Sequence, residues 1–335
     1  MSGTPANGGL KVRGLTTTFE TSRGPARAVD GVDFDVAPGE VVGLVGESGS
    51  GKSVTLRSIL RLVPHSAHIE GSVIWQGRDL ISASQAELRQ VRGAQIAMIF
   101  QEPMTALNPV LPIWLQIEEN LVAHSDLDAR ARRARALELL DIVGIPAAAR
   151  RLDEYPHQFS GGMRQRVMVA IALASSPKLL LADEPTTALD VTIQDQILKL
   201  ILDLRDQFSM SVVFVTHDLG VVAATCDRMA VMYAGRIVET GSVAEVFRKP
   251  HHPYTRGLLG SVPRSGKERT MLMSIDGTPP PLTDLPAGCA FCPRCTFASE
   301  RCKLQKPELE DLGQARTVAC FNHTSVAAAA AEVLT

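Results

Sequence analysis

Three short and almost wholly apolar runs punctuate the chain, and each ends in polar residues. Val41-Val42-Gly43-Leu44-Val45 precedes a glycine-rich loop, Leu179-Leu180-Leu181-Ala182 precedes Asp183-Glu184, and Val212-Val213-Phe214-Val215 precedes Thr216-His217-Asp218. Runs so short and so uniformly apolar predict strands covered on both faces, as in a parallel sheet. Val54 to Leu62 has helical spacing instead. Strict alternation in Val32-Asp33-Phe34-Asp35-Val36, and its weaker form in Gly71-Ser72-Val73-Ile74-Trp75, predicts an antiparallel part near the N-terminus. Between Gln101 and Ser176 the pattern turns helical, and Arg130 to Val143 is a strong helix whose basic face reads as solvated surface. From about Pro250 the periodicity yields to Pro263, Pro279, Pro280, Pro281, Pro286, Pro293 and Pro307, which predicts a loop-rich extension and not a continuation of the sheet.

The polar residues at the three strand ends carry the chemistry. Gly46-Glu47-Ser48-Gly49-Ser50-Gly51-Lys52-Ser53 fits the phosphate-cradling pattern G-x-x-x-x-G-K-[ST], with the strand before it and the helix after it that the pattern requires. Glycines let such a loop wind around phosphate with its N–H groups inward, and the helix start adds positive potential. Lys52 is expected to reach the terminal phosphates and Ser53 to ligate magnesium. Asp183 and Glu184 emerge at the C-terminal edge of a strand, where open α/β sheets bind ligands. Asp183 is expected to help hold magnesium, and Glu184 to polarise the attacking water. Alone, Asp-Glu-Pro would be a solvated turn and His217 a capping residue. After a phosphate loop they complete a set, with His217 sensing the terminal phosphate.

Phe159-Ser160-Gly161-Gly162-Met163 adds a second anion-ready helix start: a hydroxyl, bare backbone N–H groups and a dipole. With this segment the chain resembles the ATPase subunits of ABC transporters over about residues 10 to 248. The resemblance implies that Ser160, Gly161, Gly162 and Met163 form the signature loop facing ATP on the opposite subunit, that Ala188-Leu189-Asp190 is the D-loop, and that Gln101 is the Q-loop. It implies a Gln101 that joins Ser53 and Asp183 around magnesium and links nucleotide state to the transport gate. The implied fold is α/β: a RecA-like parallel sheet core, an antiparallel β subdomain and a helical subdomain at about 102–176, all within 1–248. An aromatic side chain upstream of the phosphate loop stacks on adenine in this family. Phe19 holds the comparable place, though packing into the sheet explains it equally well.

Finer features resemble one branch of the family. Gln101 to Pro109, Phe159 to Arg166, Pro185 to Asp190 and His252-Pro253-Tyr254-Thr255 are similar to the D-type ATPase of oligopeptide and dipeptide permeases. Most ABC ATPases carry Gln where this chain has Met163, and Met is usual in the D-type subunit. The resemblance implies a heterodimer with an F-type ATPase, two integral membrane permease subunits and an extracytoplasmic solute-binding protein. Relatives serving nickel or other small solutes share much of this layout. Non-transport ABC ATPases usually join two ATPase domains or carry a long coiled-coil insert, and this sequence shows neither.

Composition limits the surroundings. A net charge of −2 over 335 residues argues against a nucleic-acid surface, and no apolar run approaches the roughly 20 residues that span a bilayer. Met1 to Leu10 lacks the regions of a signal peptide. The expected location is the cytoplasmic face of the membrane, reached through partner subunits.

Five of the six cysteines fall in the C-terminal part, 249–335. Cys289, Cys295, Cys302 and Cys320 resemble the four-cysteine pattern of the D-type subunit, with which a [4Fe–4S] cluster is associated. Four soft ligands suit iron–sulfur or zinc, and a loop-rich segment of low apolar content gains from such a staple. Cys292 is an alternative ligand, because Cys289-x-x-Cys292-x-x-Cys295 has ferredoxin-like spacing. Cys226 reads as a small core residue.

Overall fold

The computed structural model describes residues 9–187, 189–261 and 275–334. The chain divides into two compact units, one of residues 1–36, 41–82 and 216–335, the other of residues 37–40 and 83–215.

The first unit opens with the antiparallel pair β1 (Leu10–Thr21) and β2 (Gly24–Val36), turned at residues 22–23. The alternation at 32–36 belongs to this longer strand, whose Val29, Val32 and Val36 are buried. Next come β3 (Val41–Val45), buried along its whole length, and α1 (Lys52–Ile59). Then β4 (Ala67–Trp75) pairs antiparallel with β1, from Leu10 opposite Trp75 to Phe19 opposite Ala67, and β5 (Arg78–Asp79) closes the edge. The sheet order β2-β1-β4-β5 is the expected antiparallel part.

The second unit begins with α2 (Gln85–Val91), whose start is fixed by a capping box between Ser84 and Glu87. After β6 (Ile96–Ile99) the chain is helical: α3 (Pro103–Ala106), α4 (Ile113–His124), α5 (Ala129–Ile142), α6 (Ala148–Arg151) and α7 (Gly161–Leu173). It then forms β7 (Leu179–Asp183), α8 (Val191–Phe208) and β8 (Ser211–Thr216). The strands β6, β7 and β8 pair in parallel, in that order. The basic face of α5 is less solvated than its composition suggests. Arg132 Nε donates to Glu118 at 2.8 Å, and Arg133 grips Asp153 while lying 4.9 Å over the Trp114 ring.

Returning to the first unit, the chain adds α9 (Leu219–Thr225), β9 (Arg228–Tyr233), β10 (Arg236–Ser242), α10 (Val243–Arg248) and α11 (Pro253–Gly260). It ends in α12 (Glu300–Leu304), β11 (Glu310–Gly313), β12 (Arg316–Val318) and α13 (His323–Leu334). β9 runs parallel to β3 and antiparallel to β10. β12 then pairs with β10, setting Val318 opposite Glu239, and β11 pairs with β12.

The extension therefore does continue the sheet, against the expectation from proline density. The prolines stop at Pro307, so the N–H groups beyond it are available to a strand ladder. The new edge is also pinned electrostatically, because Arg316 donates to the fully buried Glu239 of β10 at 2.8 Å. Apolar packing completes the union. Phe291 of the extension and Tyr254 of α11 share one buried cluster with Val45, Val231 and Tyr233.

Candidate active site

The phosphate-loop sequence lies between β3 and α1 in the first unit, as the strand-loop-helix pattern requires. Two of its glycines have no substitute. Gly46 has φ 153° and a Cβ there would collide with Met232 O, while Gly51 has φ 104° and a Cβ would collide with Ala28 O. Gly51 is also the N-cap of α1, with no side chain to bond the first-turn N–H groups. That is the arrangement in which a helix start accepts an anion. Lys52 is buried, and its Nζ donates to Gly46 O at 2.7 Å and Glu47 O at 2.9 Å, curling the loop around its ammonium. Ser53, the second residue of α1, is half-buried. Helix and sheet are tied together behind the loop, where Thr17 of β1 bonds Ser58 of α1 at 2.7 Å. Phe19, two residues further along β1, is half-buried with Ala26 and Ala67 as its strand neighbours. His217, exposed, follows β8 directly, and Asp218 caps α9.

In the second unit β7 delivers its acids as the strand ending predicts. Asp183 is its last residue and is fully buried. Glu184 then takes φ 46°, a left-handed conformation unusual for a side-chain-bearing residue, while its N–H still donates to Val215 O at 3.0 Å. Backbone pairing thus continues as the side chain is turned aside. Glu184 Oε2 accepts two hydrogen bonds, from Gln101 Nε2 at 3.2 Å and from Thr187 Oγ1 at 2.7 Å. Thr187 is a site residue that sequence reasoning passed over. Its signal was a hydroxyl three residues after the acid, within reach across one turn.

The signature segment is in the same unit. Ser160 caps α7 and its hydroxyl accepts from Met163 N at 3.4 Å. A Cβ at Gly162 would stand 2.7 Å from Ile193 Cγ2, so its bareness lets α7 approach α8 closely. Met163 is half-buried, and Asp190 caps α8 by accepting from Ile193 N at 3.0 Å. Ala188 lies outside the described residues. One unit therefore holds Phe19, the loop from Gly46 to Ser53 and His217, and the other holds Gln101, Ser160 to Met163, Asp183, Glu184 and Asp190.

The C-terminal thiols converge. Cys289, Cys292, Cys295, Cys302 and Cys320 all line one pocket, walled by Phe291, Phe297 and Phe321 and lacking any carboxylate. Burial pushes the Cys295 thiol up to about 11 and the Cys320 thiol to about 12, and raises Cys289 and Cys292 as well. Among the described residues no three His, Cys, Asp or Glu side chains are grouped so as to hold a metal ion. Cys226 does not line this pocket, although it packs against the same buried cluster as Cys289 and Cys295.

Residues 29–187 match the ABC transporter family, and residues 238–302 match the oligopeptide/dipeptide transporter C-terminal region. The chain is 51% identical over 305 residues to the oligopeptide transport ATP-binding protein OppD of Bacillus subtilis (strain 168), covering 90% of this chain and 85% of that protein. It is 49% identical over 314 residues to the dipeptide transport ATP-binding protein DppD of the same organism, covering 93% and 94%. Among solved structures it is similar to the ATP-binding cassette MJ0796, a dimer in a post-hydrolysis state bound to ADP and Pi. That match has a TM-score of 0.63 at 32% identity and covers 70% of this chain and 98% of that one. No helix among the described residues is long and apolar enough to cross a membrane. A phosphate loop, a signature segment and a peptide-transporter C-terminal region on one polypeptide place it by descent as well as by geometry: the chain belongs to the oligopeptide/dipeptide transport family of ABC transporter ATP-binding proteins.

Proposed function

We propose that this ABC ATPase is the ATP-hydrolysing subunit of an importer for oligopeptides or dipeptides, driving uptake through partner membrane permease subunits from the cytoplasmic face of the membrane. The observation that carries it is the succession of two matches on one chain. Residues 29–187 match the ABC transporter family, and residues 238–302 match the peptide-transporter C-terminal region. The division into an ATPase domain at 1–248, with helices at about 102–176, and an extension at 249–335 belongs to the same reading. So does a partner ATPase of F type, which Met163 favours, and an extracytoplasmic binding protein that delivers the solute.

The chemistry follows from the residues. The loop Gly46 to Ser53 receives the triphosphate of ATP, Lys52 meets its terminal oxygens, and Phe19 stacks on adenine. Ser53, Asp183 and Gln101 would hold magnesium, which when bound would supply positive charge to the phosphates. Glu184 orients and deprotonates the attacking water, and His217 contacts the terminal phosphate. Ser160, Gly161, Gly162, Met163 and Asp190 serve the ATP bound to the opposite subunit. ATP thus closes two ATPase domains on each other, and hydrolysis lets them part.

Cys289, Cys295, Cys302 and Cys320 hold a [4Fe–4S] cluster in this reading, with Cys292 the alternative ligand. Its support is the donor set: soft sulfur without a hard carboxylate oxygen favours iron–sulfur over magnesium or calcium. When bound, such a cluster would staple the extension and keep its thiols ionised.

Labelled peptide uptake in cells lacking this chain tests the importer role, with nickel uptake measured alongside. Peptide uptake is expected to fall to background and nickel uptake to persist. The reverse outcome would reassign the solute.

A further inference from the structure

The phosphate loop is gripped from behind by the C-terminal extension. Arg294 sits in a single 3-10 turn, Cys292–Arg294, in the midst of the cysteine pattern. Its guanidinium meets the Glu47 carboxylate with two nitrogens, at 2.8 and 3.0 Å. The same guanidinium donates to Asp276 O at 3.0 Å and Ile275 O at 3.3 Å, and lies over the rings of Tyr233 and Phe291. Only 5% of its side chain is exposed. A two-pronged pair at such burial is geometrically specific in a way that a surface ion pair is not.

A second contact fixes the same loop residue through its backbone. The Glu47 N–H donates to the Tyr254 hydroxyl at 2.7 Å. Tyr254 is fully buried and packs its ring 4.7 Å from Tyr233 and 5.4 Å from Phe291. Pro279, Pro280 and Leu282 of the extension also line a small pocket with Glu47 to Ser50. Three elements beyond residue 250 therefore converge on the loop at Glu47 to Ser50. Nothing in the phosphate-loop pattern demands Glu at this position, so the grip is a feature of this chain's sequence.

We propose that Arg294 is a positioning residue for ATP binding: together with Tyr254 it holds Glu47, and through Glu47 it keeps the phosphate loop in its receptive shape. A turn bounded by Cys292 and Cys295 thereby reports to the nucleotide site. The proposal rests on the phosphate-loop reading of residues 46–53.

Titration of the full chain with a fluorescent ATP analogue and magnesium tests it, using Arg294→Ala, Arg294→Lys, Glu47→Gln and the double variant Arg294→Ala/Glu47→Gln. Arg294→Ala is expected to weaken binding about tenfold, within the usual range of coupling between sites. Arg294→Lys should fall between, and the double variant should be no weaker than Arg294→Ala. In the assembled transporter the loss should appear in KM for ATP and not in kcat, a split that a general loss of folded protein would not produce. Should Arg294→Ala fail to fold, Glu47→Gln carries the same test from the loop side. Affinity within about twofold of the unaltered chain in a folded variant, or additive losses in the double variant, would overturn the proposal. Lys52→Ala separates the two readings, since its failure to weaken binding would remove the phosphate-loop assignment itself.

Discussion

The Gln101 side chain donates to Glu184 Oε2 across 3.2 Å, joining residues 83 positions apart in sequence. With the Thr187 hydroxyl on the same oxygen, the carboxylate that is expected to activate water is held by two donors on one side. Its backbone is held as well, in a left-handed conformation stabilised by the bond to Val215 O. A residue kept in so unfavourable a conformation points to a task that needs the side chain in one place.

Glu184→Gln is isosteric and keeps an oxygen that can accept from Gln101 and Thr187. Glu184→Gln should retain ATP binding while steady-state hydrolysis in the assembled transporter falls by about 10²- to 10⁴-fold, the usual contribution of a general base. Thr187→Val should give a smaller loss in kcat, on the order of tenfold, because it removes a bond that orients the proposed base and not the carboxylate itself. Phosphate release assays at saturating ATP check both.

Loop geometry makes Gly51 a sharper probe than the lysine. Gly51→Ala puts a methyl group against Ala28 O at a φ of 104°, so it should abolish nucleotide binding and also lower thermal stability. Calorimetry alongside nucleotide titration distinguishes this from Lys52→Ala, which should lose binding without a comparable loss of stability.

The extension confers a pH dependence whose sign is fixed by burial. His252 is enclosed, its Nδ1 accepts from Tyr254 N at 3.1 Å, and burial lowers its pKa to about 3. A histidine depressed in the folded state binds fewer protons than the unfolded chain between about pH 3 and 6.5. Its contribution is therefore complete above 6.5 and is lost as pH falls through that window, by up to about 1.4 kcal/mol per pH unit. His252→Asn can still cap α11 and should flatten this slope. Urea midpoints at pH 7.5 and pH 5 are the check.

Breaking the ion pair at the new sheet edge should be costly. Arg316→Ala leaves the buried Glu239 without its guanidinium partner, and should destabilise the protein by about 3–5 kcal/mol in equilibrium unfolding.

The sequence was most legible where chemistry and periodicity coincide. The strands β3, β7 and β8 and the loop Gly46 to Ser53 follow from apolar runs that end in polar residues or glycine, and the helical spacing of Val54 to Leu62 marks α1, which starts two residues earlier at Lys52 and ends at Ile59. The boundary of α5 shifted by one residue, since Asp128 caps it and the helix starts at Ala129. What stayed hidden is pairing at long range. No local pattern in Glu310 to Val318 announces a strand pair, because those strands exist through β10 and the Glu239 carboxylate. Nor could spacing show that Arg294 reaches Glu47, 247 positions away, or that five cysteines share one pocket. These are products of tertiary packing, which overrides the local preference for loop that proline confers.

The pocket of five thiols makes its own forecast. Anaerobically purified protein should carry iron and sulfide at about four of each per chain, as a [4Fe–4S] centre on four thiolates requires, with the loss of both on Cys295→Ser. Colourless, iron-free protein under those conditions would remove the cluster.

ATP hydrolysis by this chain is proposed to drive peptide through partner membrane subunits. Proteoliposomes containing the assembled importer, with ATP inside the compartment that the ATPase faces, should move labelled oligopeptide when the unaltered chain is present. They should move none when it carries Glu184→Gln, although ATP still binds. Undiminished peptide movement with the Glu184→Gln chain would show that transport does not depend on hydrolysis at this site.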